Sequence, residues 1–272
     1  MPDRRGDAGH ASTALKARPR LSLVVIARNE ADTIIACLES ASGVDEVIVV
    51  DHGSQDATAS VARAAGATVV GGTGTLGSLR KAGQEASTCP WVLMLDADER
   101  LPPGGLARLR RALEDAPPEV SAFALAFRNH LGSRWLRWGG YSPARRVRLY
   151  RRHAGSWDEA ARVHERVRLR IGRVSSLPGL SIEHHTYRDL SHARQKLERY
   201  AALSAAMLRD RDVRPSRVSS LLRVVWRGLT VFLFRGGFMM GRVGLELALL
   251  QARAVWQRDD LARRPSVPTF ER

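Results

Sequence analysis

The stretch Trp91-Val92-Leu93-Met94-Leu95-Asp96-Ala97-Asp98-Glu99 limits this chain more than any other. An unbroken apolar run of this length suits a strand covered on both faces. The acids behind it cannot be buried unpaired, so they must reach solvent, a metal or a cationic partner. In an extended segment alternate side chains point the same way, so Asp96 and Asp98 can share a hard divalent cation, which prefers oxygen ligands. A charged turn after a strand has the same local sequence, so the neighbouring segments must decide.

Upstream, short apolar runs alternate with helical patterns. Leu21–Ala27, 46–50 and 67–70 read as strands; 30–41, 57–65 and 78–87 read as helices. Gly53-Ser54-Gln55-Asp56 supplies a turn and a helix cap. This alternation predicts parallel strands joined by right-handed crossovers, with ligands bound beyond the carboxyl ends. Asn29-Glu30, Asp51 and Asp96-Ala97-Asp98 all fall at those ends. Three polar clusters at one sheet edge favour a site over a decorative turn.

Downstream, 102–114 reads as a helix and 121–127 as a strand. Residues 128–140 are aromatic, glycine-rich and basic, which suits a lid or an acceptor surface better than core. Strands are expected at 146–150 and 180–183, the latter ending at His184-His185. An amphipathic helix over 189–209 is expected to carry Leu190, Ala193, Leu197, Tyr200, Ser204 and Met207 on one face. From 216 to 257 the character changes. Val218, Leu221, Leu222, Val225, Trp226, Leu229, Phe232 and Leu233 form a wide apolar face, Arg235-Gly236-Gly237 interrupts it, and a second apolar helix follows. Residues 214–272 hold 11 Arg against four acids. Two basic amphipathic helices suit an anionic membrane surface; a helical pair packed on the domain or on a second subunit is the competing reading.

The 272 residues carry a formal charge of +15, and the only lysines are Lys16, Lys81 and Lys196. Such an arginine excess implies anionic partners. No specific nucleic-acid partner is expected, because recognition helix, zinc spacing and aromatic RNA motif are all missing from the sequence. Cys37 and Cys89 have no metal-ligand or redox spacing and are read as reduced structural thiols. Residues 1–20 are polar and read as a disordered leader without a signal-peptide core, so a cytoplasmic location is expected. The predicted organisation is this leader, a catalytic domain over 21–212, and a membrane-associated tail over 213–272.

Three ordered segments together resemble family-2 glycosyltransferases with the GT-A fold. They are Leu23-Val24-Val25-Ile26-Ala27-Arg28-Asn29-Glu30, Val49-Val50-Asp51-His52-Gly53-Ser54-Gln55-Asp56-Ala57-Thr58 and Leu95-Asp96-Ala97-Asp98-Glu99. Arg146-Val147-Arg148-Leu149-Tyr150-Arg151-Arg152, Val163-His164-Glu165-Arg166-Val167 and His184-His185-Thr186-Tyr187-Arg188-Asp189 are similar to one subgroup, the lipopolysaccharide inner-core glucosyltransferases. The resemblance implies an α/β fold with a mostly parallel central sheet, and a nucleotide-sugar donor such as UDP-glucose. By this resemblance Asn29 and Glu30 border the nucleotide and Asp96 binds ribose or metal; Asp51, at a strand end, can accept from a uracil ring or ribose, and Lys81 and Arg80 either neutralise phosphate or form a solvated helix face. Asp98 would hold Mg²⁺ or Mn²⁺, which offsets charge on the leaving diphosphate. An inverting transfer also needs a base on the opposite face; Glu165 is the first choice and Asp158 the reserve. Arg145, Arg146 and Arg148 are candidate contacts to an anionic acceptor, as is His184, which with His164 and His185 is also a candidate phosphate donor or metal ligand. Pro143 is followed by Ala144, where the subgroup often has an acid, and His52 stands where the family favours a small or acidic residue. The acceptor implied is a lipopolysaccharide-core or other envelope glycolipid, met by an enzyme peripheral to the inner face of the cytoplasmic membrane. Transfer of another sugar such as mannose or a heptose, and a non-catalytic basic membrane- or nucleic-acid-binding protein, remain the alternatives.

Overall fold

A computed structural model describes residues 18–142, 144–157 and 167–264. The expected alternation opens the chain: β1 (Leu21–Ala27), α1 (Ile34–Ser40), β2 (Glu46–Asp51), α2 (Thr58–Ala64), β3 (Thr68–Gly71), α3 (Leu76–Ala86) and β4 (Trp91–Asp96). Then come β5 (Glu99–Arg100), α4 (Gly105–Glu114), β6 (Val120–Leu131), β7 (Arg134–Trp135), β8 (Ala144–Arg151), β9 (Gly155–Ser156), β10 (Arg168–Leu169) and β11 (Arg173–Tyr187). Three helices end the described chain: α5 (Leu190–Asp210), α6 (Arg217–Leu229) and α7 (Arg242–Arg263). A π turn (Thr230–Phe234) and a 3₁₀ turn (Gly237–Met240) link the last two.

The main sheet runs β3-β2-β1-β4-β8-β6-β11-β5, with β7 paired to β6. Strands β3, β2, β1 and β4 are parallel, as the alternation predicts. Strand β8 enters antiparallel to both β4 and β6, and β6 pairs parallel with β11, so the sheet is mixed. Its helices cover both faces. Leu21, Leu23, Val25, Leu93 and Leu95 face one apolar cluster; Val24, Ile26, Val92 and Met94 face the other. This two-sided burial explains why β1 and β4 read as continuous apolar runs rather than as alternating ones.

Both cysteines are buried and unpaired. Strand β6 outruns its expected end at Phe127 and continues to Leu131 before turning into β7. Leu136, within the stretch read as poor core material, is fully buried in a third cluster with Tyr187, Ala193, Met240 and Leu247. That cluster ties α5 and α7 to the end of the sheet.

The expected face of α5 is corrected by its partner. Ala193, Ala201 and Ala205 are buried, whereas Tyr200 is 47% exposed. Small side chains on this stripe let α7 approach closely, and the tyrosine turns outward. Helix α6 docks on α7 through its small side, where Gly228 faces Ala252. The fully buried Asp259 accepts from Arg223 at 3.1 Å and from Arg258 at 2.8 Å, which locks the pair. The apolar stripe of α6 therefore points away from the protein: Val218, Leu222 and Trp226 are 71%, 66% and 61% exposed. Among the described residues no helix is long and apolar enough to cross a membrane.

Candidate functional site

The sheet register gathers the strand-end acids. Asp51 lies opposite Ala27, and Asp96 lies opposite Ile26, so the two carboxylates flank β1 at its carboxyl end. Because β8 runs antiparallel to β4, its first residues reach the same edge.

Asp96 is held by two guanidinium groups. Arg80 Nη2 donates to Oδ1 at 2.9 Å, and Arg148 Nη2 donates to Oδ2 at 2.9 Å. Helix α3 delivers Arg80 because it lies unusually close to the sheet. Gly83, one turn further on, faces Val24 and Val50 with no room for a Cβ. Arg148 also donates to Glu99 Oε1, and Glu99 Oε2 accepts the Asp96 backbone N–H at 3.1 Å, closing the turn after β4. Glu99 thus supports the acids from behind. The arginine was misplaced: Arg148 is buried among carboxylates and is no surface contact for an acceptor. It opens the stretch Arg148–Tyr150, where β8 is buried throughout, while Arg145 and Arg146, nearer the acid edge, are exposed. Likewise, α3 presents Arg80 to the acids, and Lys81 lies on the outer side, 3.9 Å from Glu85.

Asp98 points to a second group of cations. Its Oδ2 is 3.3 Å from His184 Nε2 and 3.5 Å from Lys196 Nζ. The other ring nitrogen of His184 is 2.8 Å from Asn129 Oδ1, which fixes the ring plane. Of the two roles expected for His184, its place in the Asp98 cluster suits a metal ligand or phosphate donor rather than an acceptor contact. The helix α5 lysine and the β6 asparagine were not foreseen; each is brought in by a contact far apart in the chain.

Charge follows this geometry. Burial works to raise Asp96, but Arg148 and Arg80 outweigh it and hold the carboxyl far below the ordinary carboxylate range. Burial opposes ionisation of Asp98 too, and the His184 hydrogen bond, the His184 charge and Lys196 together keep it low. Glu99 goes the other way: burial raises it beyond what Arg148 can offset, and Asp96 adds to the rise. Glu30 is also raised, by burial first and then by the Asp98 charge, against the hydrogen bond from Thr33.

Around β1 and β2 the loops interlock. Asn29 adopts φ +55°, a left-handed conformation that asparagine tolerates. Its N–H donates to Ser54 Oγ at 2.9 Å, and its Oδ1 accepts from Gln55 N at 2.8 Å. Glu30 N donates to Thr58 Oγ1 at 2.8 Å. Asp51 Oδ2 accepts from Ser54 N at 3.2 Å, whereas Oδ1 is buried without a partner among the described residues. A buried, unsatisfied carboxylate oxygen costs several kcal/mol unless a donor reaches it, which makes it the natural acceptor for a ligand N–H or O–H. Glu165, Asp158 and His164 lie outside the described residues. The chain enters that segment at Trp157, whose ring lies 5.4 Å from the Arg80 guanidinium.

Comparison with known proteins agrees with these motifs. Residues 22–164 match the family model described as "Glycosyl transferase family 2". The lipopolysaccharide core biosynthesis glycosyltransferase LpsC of Rhizobium meliloti (strain 1021) is 28% identical over 270 residues, covering 91% of this chain and 96% of that protein. A TPR repeat-containing protein of Synechococcus elongatus is 38% identical over 112 residues, or 40% of this chain and 27% of that protein. Among solved structures, glucosyl-3-phosphoglycerate synthase from Mycobacterium tuberculosis, crystallised with Mn²⁺, UDP and glucosyl-3-phosphoglycerate, is 27% identical. That match covers 43% of this chain and 46% of the other, with a TM-score of 0.35. Mannosyl-3-phosphoglycerate synthase from Rubrobacter xylanophilus is 28% identical over 41% of each chain, with a TM-score of 0.36.

Proposed function

The chain belongs to glycosyl transferase family 2, and from that membership we propose an inverting transfer of a hexose from a nucleotide-sugar donor, such as UDP-glucose, to a lipopolysaccharide-core or other envelope glycolipid. It is a glycosyltransferase with a GT-A fold, a mixed central sheet flanked by helices. The acceptor class rests on the likeness to LpsC across nearly the whole chain.

The observation that carries the donor reading is Asp51 Oδ1, buried and unsatisfied at the acid edge. A uracil N–H or a ribose hydroxyl supplies the missing donor. Arg80 supports the same reading, since its Nε and Nη1 are also buried, without partners among the described residues, beside Asp96. Those N–H groups suit diphosphate oxygens, which guanidinium binds strongly.

Asp98 would hold Mg²⁺ or Mn²⁺ through its carboxylate, with His184 beside it as a nitrogen donor once its ring is neutral; among the described residues no cluster of three such ligands gathers. Asp96, with both oxygens on guanidinium groups, suits a ligand role only if one arginine moves to the phosphates. When bound, the ion supplies positive charge to the leaving diphosphate. The chain's own residues do the remaining work. Asp51 and the Asn29–Ser54 loop hold the nucleoside, Arg80 holds phosphate, and Glu165 takes the proton from the acceptor hydroxyl, with Asp158 in reserve.

The outward stripe of α6 supports a peripheral place on an anionic membrane. Exposed Leu233, Phe234, Phe238, Met239 and Leu249 continue it across the turns onto α7, and Arg217, Arg223, Arg227, Arg235 and Arg242 surround it. Apolar residues rimmed by cations match a bilayer with acidic head groups. The domain division at about residue 212 follows this change of character.

A donor panel with Mn²⁺, read by thermal shift and sugar-nucleotide hydrolysis, tests the reading. One nucleotide sugar is expected to stabilise the protein. Asp51→Ala should weaken its binding by about 10- to 100-fold, the worth of a hydrogen bond to a charged group. Asp98→Ala should remove the Mn²⁺ dependence with the fold intact. If no nucleotide sugar binds, the proposal fails.

A further inference from the structure

A cavity of about 820 Å³ opens where the β6–β8 connection meets the turn between α6 and α7. Trp135, Arg137 and Trp138 line it from the sheet side; Leu233, Phe234 and Arg235 line it from the tail. Neither the strand-end site nor its loops contribute to it.

Its chemistry is specific. Arg137 lies 5.6 Å from the Trp135 ring and 5.7 Å from the Trp138 ring, and both arginines are exposed. Neither has a carboxylate partner among the described residues. Two guanidinium groups without counter-ions, set beside two indoles, suit an anionic sugar. The forks bind a carboxylate or phosphate, and Trp135, exposed although Arg128 also lies 4.9 Å from its ring, leaves indole surface to the C–H side of a pyranose. The backbone holds this arrangement. Gly139 N donates to Arg235 O at 2.8 Å, bridging the two sides. Gly140, at φ +85°, leaves open the space that the Arg235 side chain fills; any Cβ there would collide with the guanidinium.

Position adds a second argument. Leu233 and Phe234 belong both to the cavity wall and to the exposed apolar face of the tail. A molecule anchored in a bilayer under that face would present its head group at the cavity mouth. From the rim a short bonded path leads to the acids. Tyr141 O accepts from the Asn129 side chain, Asn129 Oδ1 meets His184 at 2.8 Å, and His184 lies 3.3 Å from Asp98.

We propose that this cavity holds the anionic sugar head group of the membrane-anchored acceptor, with Arg137 and Arg235 on its acid groups and Trp135 and Trp138 on its ring. This assignment rests on the transferase reading above and adds an acceptor-binding site to it. The charged group serves as the handle, and the hydroxyl to be glycosylated extends from it toward Asp98.

Calorimetry on the full chain with four probes tests it: glucose 6-phosphate, glucuronate, methyl glucoside and inorganic phosphate. One or both sugar acids should bind at least 10-fold tighter than the neutral sugar and than inorganic phosphate. The double variant Arg137→Gln/Arg235→Gln should lose at least 10-fold of that affinity with its unfolding midpoint unchanged. Gly140→Ala, which displaces Arg235, should weaken the same probes. Equal affinity for methyl glucoside, equal affinity for inorganic phosphate, unchanged binding by the double variant, or no binding of either sugar acid overturns the proposal. Mn²⁺-dependent UDP binding is measured in parallel. Its absence sinks the donor reading, and the sugar-acid result is read independently of it.

Discussion

Replacing Arg148 separates two roles for this residue. The sequence suggests a surface contact to an anionic acceptor, whereas the structure buries it between Asp96 and Glu99. Glu99 is fully buried, and Arg148 is its cationic partner. Arg148→Met therefore strands one carboxylate in the interior and leaves Asp96 with Arg80 alone. Breaking a buried pair from one side costs about 3–5 kcal/mol. For a chain of this size that is a fall of about 6–20 °C in the unfolding midpoint. Glu99 can evade part of the penalty by taking a proton, a step made easier because burial already raises it. The loss should therefore grow as pH rises from weakly acid to neutral and above, where holding that proton becomes harder. Adding Glu99→Gln removes the stranded charge, so the double variant should recover at least about 1 kcal/mol relative to Arg148→Met alone. Urea titrations of wild type, both single variants and the double, at two pH values, close the cycle. A single Arg148→Met that unfolds like wild type and differs only in acceptor affinity would refute the buried-network argument and restore the surface role.

Other consequences are equally direct. Glu165→Gln should keep donor binding and abolish transfer; loss of donor binding would give that glutamate another role. Leu222→Glu/Trp226→Glu should release the protein from phosphatidylglycerol vesicles in a sedimentation assay, by on the order of 100-fold or more, because each apolar side chain contributes about 1.5–3 kcal/mol on burial. Unchanged sedimentation would detach the α6 stripe from the membrane. Asp45 accepts from Leu21 N at 2.9 Å and pairs with Arg110 and Arg18. Burial opposes its ionisation, but these partners lower it below its ordinary value. Its contribution is thus full above the unfolded value and lost as pH falls through the folded one. Asp45→Asn should lower stability by about 1 kcal/mol near pH 6, and the gap from wild type should close in strong acid.

The first half of the sheet was legible because its strands are buried on both faces and bounded by turn residues. β1 begins and ends where its apolar run does, and β4 exceeds its run only by Asp96. β11 was not legible beyond four residues. It spans Arg173–Tyr187, but its register slips between Ser176 and Ser181, around Pro178-Gly179, and one side is open to solvent. No period-2 pattern survives such a bulge. The acids themselves were visible as strand ends, yet their partners were not. Arg148 meets Glu99 across 49 residues, and Lys196 meets Asp98 across 98. Nothing local marks either as inward-facing. Tyr200 failed for a related reason: helical spacing identifies a stripe, but the identity of the packing neighbour selects which edge of it is covered.

The tail packs on the domain along one helix and leaves the apolar stripe of the other exposed. Its second helix packs on the domain, as a structural pair would, through Leu247, Ala248 and Ala252. Its first helix does not use its strongest apolar stripe for that packing. It presents Ser220 and Gly228 to α7 and adds the ion pair between Arg223 and the buried Asp259. A helix stabilised only by the domain would turn the stripe inward, since each exposed leucine or tryptophan forgoes about 1.5–3 kcal/mol. The buried Asp259 acts against that rotation, because turning α6 over would strip a buried carboxylate of one of its two arginines, with the penalty of an imperfectly compensated charge. The orientation is therefore a specified feature of the tail. Its apolar face meets the cavity at Leu233 and Phe234, and the cavity rim is bonded through Asn129 and His184 to Asp98. Under the proposed membrane reading, a bilayer on the stripe would lie beside the cavity mouth, at a spacing from the strand-end acids set by this packing.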